Sequence, residues 1–224
     1  MTSVKIHAAV LAAALVSLPV AAAAQDATAA LSTAALSDAS EPRDPGAFQL
    51  SLWDSVQVVE STRSVHGFRL ALPYGRNWDV HGLDIGIVNR TDDDFEGAQF
   101  SVAGLVGGDM KGLQYNWLVS SVNDEAQGAQ FAVVNTVGAL QGVQFGAVNY
   151  ARDGAMGAGF GLVNVYEGPS VGAELGLVNY ASRIEGFQFG LVNVTEHLHG
   201  VQIGLVNVAK NGFLPVFVIF NAAL

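Results

Sequence analysis

The sequence predicts an all-β fold, a β-solenoid of about ten repeats of 14–15 residues with capped ends. Three observations carry this expectation. An eight-residue phrase beginning with glycine recurs at a nearly constant period, each copy alternates apolar and other residues as a strand does, and the segments between copies are short and polar.

The copies are GLDIGIVN at Gly82, GAQFSVAG at Gly97, GLQYNWLV at Gly112, GAQFAVVN at Gly128, GVQFGAVN at Gly142, GAGFGLVN at Gly157, GAELGLVN at Gly172, GFQFGLVN at Gly186 and GVQIGLVN at Gly200. Their spacings are 15, 15, 16, 14, 15, 15, 14 and 14 residues, with degenerate copies at Gly67 (GFRLALPY) and Gly212 (GFLPVFVIFN). Within a copy the second, fourth and sixth positions are apolar (Val201, Ile203, Leu205), with Gln202 and Gly204 between them. That alternation reads as a strand with the apolar members on the buried face. The leading glycine suits a tight corner with positive φ.

In a solenoid, equivalent residues stack about 4.8 Å apart. The closing asparagines (Asn89, Asn135, Asn149, Asn164, Asn179, Asn193, Asn207) are then expected to form a ladder of amides at a turn. The third-position glutamines (Gln99, Gln114, Gln130, Gln144, Gln188, Gln202) are expected to form a second. Units two and three lack the final Asn, so the first ladder is expected to be interrupted near Gly104 and Val119. The alternative architecture is an outer-membrane antiparallel β-barrel with one strand per unit and the apolar positions facing lipid. Nearly equal turns between all units, mid-unit aromatics and a final Leu224 favour the solenoid.

The remaining segments divide as follows. Residues 1–24 read as a signal peptide: Lys5, then the apolar run AAVLAAALVSLPV, then Ala22-Ala23-Ala24 before Gln25. Residues 25–47 read as a flexible leader, 48–81 as an N-terminal cap and degenerate repeat, 82–211 as the tandem array and 212–224 as a C-terminal cap. Trp53, Pro73, Tyr74 and Trp78 supply bulk for the first cap, and Pro215 stands where a further strand would otherwise pair. Solenoid ends need such covering.

The chain has no cysteine, so no disulfide or thiolate site can form. Processing at Gln25 leaves nine Lys and Arg against twenty Asp and Glu, a balance of −11 that disfavours nucleic acid and anionic lipid headgroups as partners. No cofactor, metal or catalytic constellation is expected. His66 and His81 lie apart from any acid–nucleophile pattern, and His197-Leu-His199 lacks a third ligand. The acidic run Thr91–Glu96 lacks the spacing of a calcium loop and reads as a solvated turn.

The phrase VHGFRLALPYGRNWDVHGLDIGIVNR, the tandem G-x-Q-x-G-L-V-N units and the closing NGFLPVFVIFN together resemble a family of exported bacterial surface repeat-containing proteins. The resemblance spans residues 48–221 and implies export and surface placement; it implies no activity and no site. The expected function is that of an exported, non-catalytic structural or interaction module of the cell surface or periplasm, with a surface glycan or an envelope protein as the candidate partner. A glycan would be met by the recurring Gln and Asn amides, unless these only satisfy one another. Under the barrel alternative the protein would be a small pore or surface protein of the outer membrane. A carbohydrate-active enzyme is the remaining class, disfavoured because the unit middles are nearly free of charge.

Overall fold

The computed structural model describes residues 45–53 and 56–223, so the expected signal peptide, and the leader up to residue 44, lie outside the described residues. The described chain is all β. Its strands are β1 (Gly46–Trp53), β2 (Val56–Gln57), β3 (Val65–Asn77), β4 (Val80–Thr91), β5 (Phe95–Val106), β6 (Met110–Phe131), β7 (Val134–Phe145), β8 (Val148–Phe160), β9 (Val163–Leu175), β10 (Val178–Phe189), β11 (Val192–Ala209) and β12 (Val216–Ala223). They follow one another in the order β12-β11-β10-β9-β8-β7-β6-β5-β4-β3-β1-β2. From β3 to β11 every neighbouring pair is parallel, so each unit is one coil stacked on the last. The barrel alternative is thereby overturned. A barrel pairs its strands antiparallel and closes on itself, whereas here the order ends at β12 and β2.

Ten leading glycines, from Gly67 to Gly200, pair with one another in an axial column. All ten have φ between +125° and +146°. At Gly157 (φ +139°) a Cβ would lie 1.8 Å from the carbonyl oxygen of Gly142 in the coil below. Glycine is required there on both backbone and steric grounds.

A regular coil turns four residues inward. In the coil of β10 these are Asn179, Ala181, Ile184 and Gln188. The alternation is therefore a strand pattern with its faces reversed from the expected one: the glutamines lie inside and the apolar second, fourth and sixth positions point outward. Gln99, Gln114, Gln130, Gln144, Gln188 and Gln202 are all wholly buried. The apolar part of the core comes from the stretches between the phrases, from pairs such as Met110 with Val106 and Leu140 with Val137.

Buried amides need partners, and stacking supplies them along the axis. The asparagine column donates toward the C-terminus: Asn135 Nδ2 to Asn149 Oδ1 at 2.9 Å, then Asn149 to Asn164, Asn164 to Asn179, Asn179 to Asn193 and Asn193 to Asn207, each at 2.8 Å. The five donors of this column also donate to the carbonyl of the next coil's fourth position, as Asn179 does to Phe189 O at 2.9 Å, whereas Asn207 turns back to Gly204 O. The central glycine makes room for this bond: a Cβ on Gly176 would lie 2.9 Å from both Asn164 Nδ2 and Asn179 Oδ1.

The third-position column donates the other way. Gln144 donates to Gln130 at 2.8 Å, Gln130 to Gln114 at 2.9 Å, Gln114 to Gln99 at 3.1 Å and Gln99 to Asp84 Oδ2 at 2.9 Å. Asp84 can only accept. It receives Gln99 from above and the forked guanidinium of Arg69 from below, at 2.7 and 2.6 Å, with both side chains wholly buried. A second run, Gln202 to Gln188 at 2.8 Å and Gln188 to Glu174 at 2.7 Å, also ends on a carboxyl. Between the runs stands Gly159, and the space is filled by Tyr166 of the same coil, whose hydroxyl donates to Gln144 Oε1 at 3.3 Å.

The asparagine ladder is interrupted as expected at Gly104, but the second gap falls at Ser120 rather than Val119, because unit three carries one extra residue. Asn116 turns inward to occupy the gap, donating to Ser120 Oγ at 2.9 Å and Gln99 Oε1 at 3.3 Å.

Both ends are covered. Strand β1 begins at Gly46, ahead of the expected Phe48, and pairs parallel with β3. Val59 folds back against the core, held to Gln49 by bonds of 2.7 and 2.9 Å. The bulky Trp53 and Trp78 are exposed rather than plugging the end. At the other end β12 does pair, antiparallel to β11, and brings Asn221 onto the polar column opposite Gln202.

The glycine column yields a direct expectation. Gly172→Ala places a methyl 1.9 Å from Gly157 O at φ +133°, and should cost at least about 3 kcal/mol or abolish folding. Ala173→Gly at the adjacent, outward position should cost about 1 kcal/mol or less. Urea denaturation followed by far-ultraviolet circular dichroism measures both.

Candidate functional site

With the amides turned inward, the apolar half of every phrase is left on the outside. The fourth-position column reads Leu50, Leu70, Ile85, Phe100, Tyr115, Phe131, Phe145, Phe160, Leu175, Phe189, Ile203 and Phe220 from cap to cap. Stacking at coil spacing puts its aromatic members in contact. Ring centroids are 4.9 Å apart for Phe131 and Phe145 and 4.6 Å for Phe145 and Phe160, in both cases nearly parallel.

Around the bend made by the central glycine runs the sixth-position column, where Leu162, Leu177, Leu191 and Leu205 are 55%, 49%, 48% and 64% exposed. No charged residue stands at the second, fourth, sixth or seventh position of any of the ten coils. Soluble monomers rarely leave so long an apolar strip uncovered. This strip is the candidate functional site.

Unit three shapes it locally. Its extra residue pushes Trp117 outward to 74% exposure and Leu118 to 55%. Beside them lies a shallow hollow of about 410 Å³ lined by Tyr115, Asn116, Trp117, Phe131, Ala132, Val133 and Ala147.

The caps preserve the strip although their sequences are not repeats. In β12, Asn221 points in and Phe220 points out, continuing both columns past Ile203. Leu50 does the same beneath Leu70 at the other end.

The residues singled out from sequence fall elsewhere. The Gln and Asn amides lie wholly in the interior, most of them bonded to one another, while the side chain of Asn89, below the gap at Gly104, has no hydrogen-bond partner among the described residues. His197 and His199 both face solvent on either side of buried Leu198. His66 and His81 stack edge-on at 4.5 Å, and His81 Nδ1 lies 3.4 Å from Glu96 Oε2. In the run Thr91–Glu96, Asp92 accepts from Arg76 and Arg90 at 2.7 Å each, and Asp94 accepts the Asp109 N–H at 2.8 Å. Burial and the surrounding aspartates, Asp94 foremost, raise the pKa of Asp93. Among the described residues, no three His, Asp or Glu side chains converge in a metal-binding group.

Sequence reasoning missed Arg69, Asp84 and Glu174 as members of the polar column. The signal was their shared third position. It also placed the outer columns inside, because apolar alternation normally marks the buried face.

Glu174 is the one carboxyl of that column without a cation beside it. Complete burial pushes its pKa up to about 8, the bond from Gln188 opposing this in part. The neutral form is therefore the folded one at neutral pH. No protein family model, curated protein or solved structure matches this chain.

The raised Glu174 makes stability depend on pH. The proton held in the folded state contributes fully below the unfolded value near 4.5 and is lost as pH rises toward about 8. Glu174→Gln completes the second run with a neutral amide. Its melting temperature should exceed that of the parent at pH 8–9 and change less between pH 5 and 9. Equal slopes for the two chains would show that Glu174 is not the group responsible.

Proposed function

We propose that this chain is an exported, non-catalytic repeat protein acting as a structural and interaction module at the cell surface or in the periplasm, with the outer apolar strip as its working surface. The observation that supports this most is the strip itself, uncharged through ten coils and continued by both caps. The basic start, apolar run and Ala-Ala-Ala end of residues 1–24 support export, as does the resemblance to exported surface repeat proteins.

A rigid solenoid suits such a role. Its backbone bonds run along the axis through every coil, so the columns keep their spacing when a partner docks. The strip also says what kind of partner fits. It offers aromatic and aliphatic side chains with no charge of its own, the exposed Glu96, Lys111, Gln127, Gln141 and Glu185 lying beyond its edge, which favours an apolar protein surface over a polar glycan.

Cell fractionation with mass measurement of the N-terminus tests the reading. The expected product begins at Gln25 and is recovered from the periplasmic or surface fraction. A cytoplasmic product retaining Met1 would overturn export.

A further inference from the structure

We infer that the outer strip is the contact surface between two copies of this chain, packed side by side with their solenoid axes parallel. This rests on the reading of the strip as a working surface, and not on export.

Four features point to a second copy. The first is area. Twelve rows at about 4.8 Å give a length of roughly 53 Å, and five residue steps across the bend give a width of about 15 Å. The resulting ~800 Å² per copy equals the share each partner contributes to a standard stable interface.

The second is pitch. Side chains on the strip form ridges at the coil spacing, and a partner can interdigitate along the whole length only if its own ridges share that spacing. A second copy does so by construction.

The third is complementarity under two-fold symmetry. An axis lying in the contact plane and running along the solenoids brings the fourth-position column of one copy over the sixth-position column of the other. Phe160 and Phe189 then meet the partner's Leu162 and Leu191, and Phe131 and Phe145 meet the partner's smaller Val133 and Ala147, so in these rows large rings face smaller aliphatics.

The fourth is charge. The chain is strongly acidic, yet no charge lies on the strip, so two copies approach without burying a like pair. A bilayer surface fits less well. Lys and Arg number 10 against 20 Asp and Glu, whereas peripheral attachment to anionic headgroups uses a basic rim.

Sedimentation velocity of the purified chain, in the processed form the cell yields and without detergent, tests the inference. A dimer at micromolar concentration is expected. Phe145→Lys combined with Leu162→Lys, both exposed side chains, should raise the dimer dissociation constant at least about 100-fold while the dichroism spectrum and melt persist. Should that double variant fail to fold, Leu191→Lys alone serves the same purpose. Met156→Lys, exposed but off the strip, should leave the dimer intact.

Because the chain lacks cysteine, a single Phe213→Cys carries one spin label per copy. Parallel packing places the two labels within about 40 Å, and antiparallel packing beyond about 50 Å, from the strip length above. A monomeric parent, a dimer indifferent to the lysines, or antiparallel labels each overturn the inference. So does a monomer that floats with phosphatidylcholine vesicles through the same residues, which would assign the strip to lipid. A monomer that still binds an envelope component through Phe145 and Leu162 sinks this inference alone. Lysine variants silent in every assay sink the working-surface reading with it.

Discussion

A buried primary amide must both donate and accept, and in this molecule most of the repeated amides find partners in the coils above and below. Much of the structure follows from that requirement. A glutamine sealed from water without a partner costs about 1–3 kcal/mol, and a satisfied one contributes about 1 kcal/mol, so the column favours stacking in register and penalises slippage. The two columns run in opposite donor directions, and their ends obey the same logic. Each glutamine run ends toward the N-terminus on a carboxyl that accepts its last amide, Asp84 or Glu174, and the upper end of the first run is met by the Tyr166 hydroxyl. Arg69 then neutralises Asp84 in a wholly buried pair, where removing either partner would strand a charge.

The glycines are a consequence of these ladders and of coil spacing. The leading glycine admits a backbone that no side chain adopts easily, and the central one leaves room for the asparagine bonds to the next coil. Placing amides inside displaces apolar side chains outward, because alternate residues of a strand cannot share a face. The exposed strip is thus the counterpart of the amide columns. Its persistence through β12, where Phe220 and Asn221 keep the two faces although the strand direction reverses, sets it apart from a by-product of repetition.

Much of this was legible in the sequence. The period, the number of coils, the two amide ladders, the positive-φ glycines and the capped ends all follow from spacing and residue chemistry, read against equivalent positions. The side that faces inward did not follow. Val201, Ile203 and Leu205 carry the ordinary signature of a buried face, and Gln202 that of a solvated one. The gap at Ser120 was likewise misplaced at Val119, since counting eight residues from Gly112 ignores the bulge that sends Asn116 in and Trp117 out.

By itself the sequence determined the period and which residues share a column, and it favoured the solenoid over the barrel, which the parallel pairing of the coils then excluded. Only the tertiary structure decided the polarity of the coil. Whether an alternating strand buries its amides or its aliphatics depends on what each face meets across the interior. Here the facing elements are other amides at matching height and a second, apolar pair of columns contributed by the stretches between the phrases. That closure joins residues some ten positions apart in each coil, and local alternation does not report it.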